Sequence, residues 1–81
     1  MSIYIGKYEL AGQVISFYKD GDLIKLDVPK QPTYTLVAQK EHQFSIKGLT
    51  GFSIIFNVKN GNSAESVIFN QPNGVFTAKR R

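Results

Sequence analysis

The chain has no cysteine and no tryptophan, and only one histidine, one methionine and three prolines in 81 residues. Without cysteine there are no disulfide staples, no thiolate nucleophile and no cysteine-ligated zinc. His42 has no second imidazole or thiolate with which to share a metal, so no metal or other cofactor is expected. No apolar run approaches the roughly 18 residues of a membrane-spanning helix. The opening Met1-Ser2-Ile3-Tyr4-Ile5-Gly6 has neither a basic n-region nor an apolar h-region, so the chain as written is expected to be soluble and without an export signal. A helix of three turns is missing too, because apolar residues nowhere recur at 3.6-residue spacing for long enough.

Charge of one sign is also scarce. The net charge is +4, but Lys79, Arg80 and Arg81 supply three of the ten basic residues, leaving seven positive against six negative, a net of +1, over residues 1–78. The basicity reads as a solvated terminus. Phosphate recognition needs several cations fixed along one track, so neither nucleic acid nor a membrane surface is expected as a partner.

What is present is ordinary globular composition, 42% hydrophobic and 20% charged, in a length that allows a single domain spanning residues 1–81. A domain of this size buries only about 60% of its unfolded surface and leaves little room for a deep active site.

Turn signals arrive at nearly even intervals. They fall at Ala11-Gly12, Asp20-Gly21, Pro29 to Pro32, Gln39 to Glu41, Gly48 to Gly51, Asn60-Gly61-Asn62 and Pro72-Asn73-Gly74. Between them lie eight segments of about six residues, the usual strand length, rich in Ile, Val, Phe, Tyr and Thr. Asp-Gly and Asn-Gly suit the tight turns that join antiparallel neighbours.

Alternation sorts the faces. Ile24, Leu26 and Val28 share one face, as do Tyr34, Leu36 and Ala38, then His42, Phe44 and Ile46, and Phe52, Ile54 and Phe56. Val67 with Phe69, and Phe76 with Ala78, continue the pattern. With no helix to cover a sheet, the sheet must cover itself. The expected fold is all-β: a small eight-stranded antiparallel up-and-down barrel, lipocalin-like, with a two-sheet sandwich as the alternative.

The first segment holds Tyr4-Ile5-Gly6-Lys7-Tyr8, two tyrosines on one face around a residue without a side chain. The missing Cβ lets an aromatic ring or a neighbouring backbone lie across the strand. Tyr4-x-Gly6-x-Tyr8, Asp20-Gly21-x-Leu23, Gln31-Pro32 before Leu36, a lone Phe44, Ile54-x-Phe56, Gly61 before Val67, Gln71 and a closing Ala78-Lys79-Arg80 follow in order. In that order and spacing the chain resembles the lipocalin-like domain of unknown function at the C-terminus of many bacterial beta-lactamase-type serine hydrolases and penicillin-binding-protein-like enzymes. The likeness runs from Tyr4 to Arg80 and departs at Ala38, where members often carry a proline. It implies a noncatalytic accessory domain that packs on the parent or a neighbouring hydrolase domain or mediates oligomerisation. An excised domain of this kind would have worked in the periplasm or cell envelope.

No reactive constellation competes with that expectation. Ser16-Phe17-Tyr18-Lys19 has the letters of the Ser-x-x-Lys nucleophile motif, but the motif needs a helix to bring the lysine back beside the serine. On a strand, residues three apart face opposite ways. Asp20 and Asp22 flank a turn glycine, and Glu9, Asp27, Glu41 and Glu65 form no pair that spacing can establish. The stretch Lys47 to Phe56 partly resembles a base-stacking RNA-binding strand. Phe52 and Phe56 share a face with Ile54, however, as core residues do.

Two further sets of residues stand out. If Tyr4, Tyr8 and Leu10 point inward, Ile3 and Ile5 point out, and on the next strand either Val14 or the pair Ile15 and Phe17 joins them, with Ile55 on the sixth. Ile3, Ile5, Ile15 and Phe17 are therefore the candidate interaction surface. Tyr8, Tyr34, Phe44, Phe52 and Phe56 are the candidate pocket lining, for an alternative function as a free-standing lipocalin-like binder of a small apolar ligand.

Overall fold

The computed structural model describes residues 3–58 and 63–81. Eight strands follow one another: β1 (Gly6–Leu10), β2 (Gln13–Asp20), β3 (Leu23–Asp27), β4 (Tyr34–Lys40), β5 (Gln43–Ile46), β6 (Ser53–Val58), β7 (Ala64–Gln71) and β8 (Gly74–Arg80). Each pairs antiparallel with the next, and β8 returns to β1 through Tyr8↔Arg80 and Glu9↔Lys79. The result is a closed up-and-down barrel rather than a two-sheet sandwich. Closure gives every strand two neighbours and removes the sheet edges. The expected turn at Asn60-Gly61-Asn62 lies outside the described residues.

Turn length fixes register, and register fixes which side chains enter the barrel. Ala11 and Gly12 both have positive φ, 52° and 82°, the two-residue geometry whose twist matches the flanking strands. The loop sets Leu10 opposite Gln13, hence Tyr8 opposite Ile15 and Gly6 opposite Phe17. Since Tyr8 is inside, Ile15 and Phe17 are inside as well, 2% and 1% exposed. They are core residues and not part of an outer patch; Val14 is the one that turns outward.

The core runs continuously around the interior, through Leu26, Leu36, Ile46, Ile54, Val67 and Ala78 among others. Two residues expected inside are exposed. β4 runs beyond its last pair with β3, Ile24↔Leu36, and its register shifts between Ala38 and Lys40, so Ala38 reaches solvent. Phe76 lies past the short β1–β8 ladder, where β1 no longer covers it, and is 40% exposed. His42 does not open β5; it takes φ 64° in the β4–β5 turn.

Candidate functional site

The barrel is filled at one end and hollow at the other. In the filled end Phe56 is surrounded by the rings of Tyr4, Tyr8, Phe17 and Phe44, at centroid distances of 4.6, 6.2, 5.0 and 5.7 Å. Each such pair contributes about 0.5 to 1.5 kcal/mol beyond its buried area. The segment before β1 brings Tyr4 in as a plug. Its hydroxyl meets His42 Nδ1 at 2.7 Å, and its carbonyl accepts from the Tyr8 hydroxyl at 3.0 Å.

Arg80 holds this end shut. Its Nη1 donates to the Ile5 carbonyl at 3.1 Å, and Nη2 donates to the Ile3 carbonyl at 3.0 Å and the Tyr8 hydroxyl at 2.9 Å. Nε donates to the Ala64 carbonyl. The guanidinium carbon lies 4.9 Å from the centre of the Tyr8 ring. One planar fork thus ties together β8, the head of β7 and the segment before β1, with the Ala64 N–H donating to the Ile3 carbonyl at 2.8 Å alongside. What crosses Gly6 is this guanidinium, not an aromatic ring: a Cβ there would collide with Arg80 Nη1. Lys79 and Arg80 therefore belong to a strand rather than a solvated tail, and the Arg81 N–H donates to the Lys7 carbonyl at 3.0 Å.

Burial raises the Tyr8 phenol above its usual 10.0, against the lowering pull of the Arg80 charge and hydrogen bond. Tyr4 is likewise raised, by burial, despite hydrogen bonding at His42. Unfolded phenols lose their proton near 10.0 and folded ones at higher pH, so stability is complete below 10 and declines as pH rises through the folded values. Urea unfolding followed across that range should show the decline, with a shallower slope in Tyr8→Phe. Equal slopes in the two proteins would show that Tyr8 does not drive it.

At the opposite end, where the β1–β2, β3–β4, β5–β6 and β7–β8 connections gather, lies a cavity of about 350 Å³. Ile15, Leu26, Ile46 and Phe69 line it from the core, and Leu10, Val28, Leu49 and Phe52 bring it out to the rim. Its polar lining is Gln13, Gln31, Gln71 and Tyr34, whose hydroxyl donates to Gln31 Oε1 at 3.0 Å. A second hollow of about 170 Å³ opens beside Leu23, Val37, Ala38 and Phe44.

Of the five aromatics expected in a pocket, Tyr34 and Phe52 line the mouth. Tyr8 and Phe56 are packed in the aromatic plug, and Phe44 separates that plug from the smaller hollow. The buried Phe56 cannot stack on a base. Of the expected interaction surface, Ile15 and Phe17 are inside, while Ile3 and Ile5 are half-buried and packed against the core. Ser16 and Lys19 both lie on the strand β2, so they point to opposite faces. The glutamines of the rim escape a reading based on hydrophobic alternation. Their signal was positional: Gln13 and Gln71 lie where strands meet turns on the same barrel end.

Comparison with protein-family models, curated proteins and solved structures finds no match to this chain.

Proposed function

We propose that this barrel is a noncatalytic accessory domain of a bacterial beta-lactamase-type serine hydrolase, packed on its catalytic domain or between its subunits. The reading rests on the resemblance carried by the spaced residues from Tyr4 to Arg80, of which Gly6 and Tyr8 near the start and Arg80 near the end meet in one contact set. The outer wall supplies a surface. Tyr18, Leu23 and Val37, on the adjacent strands β2, β3 and β4, are 41%, 47% and 39% exposed. With an exported parent enzyme, the domain works in the periplasm or cell envelope.

Sequencing the source DNA upstream of the Met1 codon tests this directly. The expected result is an open frame that continues through a Ser-x-x-Lys at a helix start. A stop codon and ribosome-binding site just before Met1 would sink it. In the longer protein, hydrogen exchange along β2 to β4 should be slower than in the barrel alone; equal rates would remove this wall as the docking face.

A second reading, a binder of a small, largely apolar ligand, is favoured by the mouth cavity. A ligand held at 100 times its Kd would stabilise the fold by about 2.7 kcal/mol. For a domain this size that raises Tm by roughly 10 to 20 °C. A thermal-shift screen of aliphatic and aromatic acids and their neutral counterparts should reveal it, and a flat screen would count against it.

A further inference from the structure

We propose that the mouth cavity takes an uncharged molecule with an apolar body and a head group that both donates and accepts hydrogen bonds, of which a primary amide is the simplest example. This deepens the second reading above and rests on it. At about 350 Å³ the cavity falls at the lower end of the roughly 300 to 1,000 Å³ typical of small-molecule sites.

The chemistry of the rim selects the head group. Gln13 stands at the start of β2, Gln31 in the β3–β4 loop and Gln71 at the end of β7, so carboxamides approach the opening from three separate places. Each carboxamide carries two donor hydrogens and an acceptor oxygen. At Gln31 the oxygen already accepts from the Tyr34 hydroxyl, which leaves its amino group to donate toward a ligand. No Asp, Glu, Lys, Arg or His lines the cavity among the described residues. Gln13 and Gln31 are exposed, so a head group at the rim keeps part of its hydration. There an ionic head meets no opposite charge in the lining, and a carboxylate can only accept from the glutamines while an ammonium can only donate to them. A neutral amide matches both the donors and the acceptors of the glutamines. The same walls, from Leu10 and Val28 to Phe52, suit an aliphatic body.

The test is a titration of the ¹⁵N-labelled protein with octanamide, octanoate and octylamine, three probes sharing one chain length. Glutamine side-chain amide signals report on the rim directly. Octanamide should shift those of Gln13, Gln31 and Gln71 and bind at least tenfold more tightly than either ion, a difference of about 1.4 kcal/mol. If octanoate or octylamine binds as tightly as octanamide, the uncharged head group is wrong while the cavity reading survives. If none of the three shifts any mouth residue up to its solubility limit, both fall. Gln71→Glu provides an independent check, its fold verified by its own spectrum. A carboxylate on the rim should reverse the ranking in favour of octylamine, and an unchanged ranking would overturn the proposal.

Discussion

Replacing Arg80 with methionine is expected to lower the unfolding free energy by about 3 kcal/mol. The guanidinium makes four hydrogen bonds, three to backbone carbonyls of Ile3, Ile5 and Ala64 and one to the Tyr8 hydroxyl. Bonds from a charged donor contribute about 1.5 to 3 kcal/mol each in mutational series. The site is only partly buried, and water can replace some of the bonds in the variant, so the loss falls well below their sum. Against a total stability of roughly 4 to 12 kcal/mol for a chain of this length, it is a large fraction. Tm should fall by about 12 to 24 °C. Arg80→Lys should recover less than half of the loss. An ammonium is a compact charge that cannot span four acceptors or lie flat against Tyr8. Urea titration with a constant m-value would measure both variants. A methionine variant within about 1 kcal/mol of the wild type would show that closure through β1 and β8 does not depend on this fork.

Gly6→Ala is expected to cost about 3 to 4 kcal/mol through two separable effects. Gly6 has φ 146°, a backbone conformation that L side chains rarely adopt, and strain of this kind costs roughly 1 to 3 kcal/mol. The added methyl would also collide with Arg80 Nη1. A free side-chain end could swing away cheaply, but this one is held by its hydrogen bonds and must give some of them up. The two effects separate in a double-mutant cycle. In the Arg80→Met background the collision is largely relieved and Gly6→Ala should cost only the backbone strain. The two substitutions should therefore be less than additive by about 1 to 2 kcal/mol. Additivity within about 0.5 kcal/mol would mean that the glycine serves the backbone alone and not the approach of the arginine.

Much of the architecture is legible in the chain because strand alternation and turn chemistry are local. Asp20-Gly21 and Ala11-Gly12 mark hairpins, and the alternation of Ile24, Leu26, Leu36, Ile54 and Phe56 assigns them to one face without knowledge of their neighbours. The face of β2 was the exception. Val14, Ile15 and Phe17 are all apolar, so alternation could not choose among them, and the choice lay in the length of the Ala11-Gly12 loop, which sets Tyr8 against Ile15. Ala38 departed from expectation because the register shifts between Ala38 and Lys40, which no residue type marks, whereas His42 lies in the β4–β5 turn instead of on β5 and still packs against Tyr4.

The sequence by itself determined the class of fold, the number of strands and most of the core, since each depends on periodicity within a few residues. Only the tertiary structure decided where the barrel is full and where it is hollow. Aromatic rings from Tyr4, Tyr8, Phe17, Phe44 and Phe56 meet at one end, and Gln13, Gln31 and Gln71 come to the other. The role of Arg80 was decided there as well. From its neighbours in the chain it is one of three terminal cations; from its neighbours in space it joins residues more than 70 positions away, because barrel closure brings the last strand against the first.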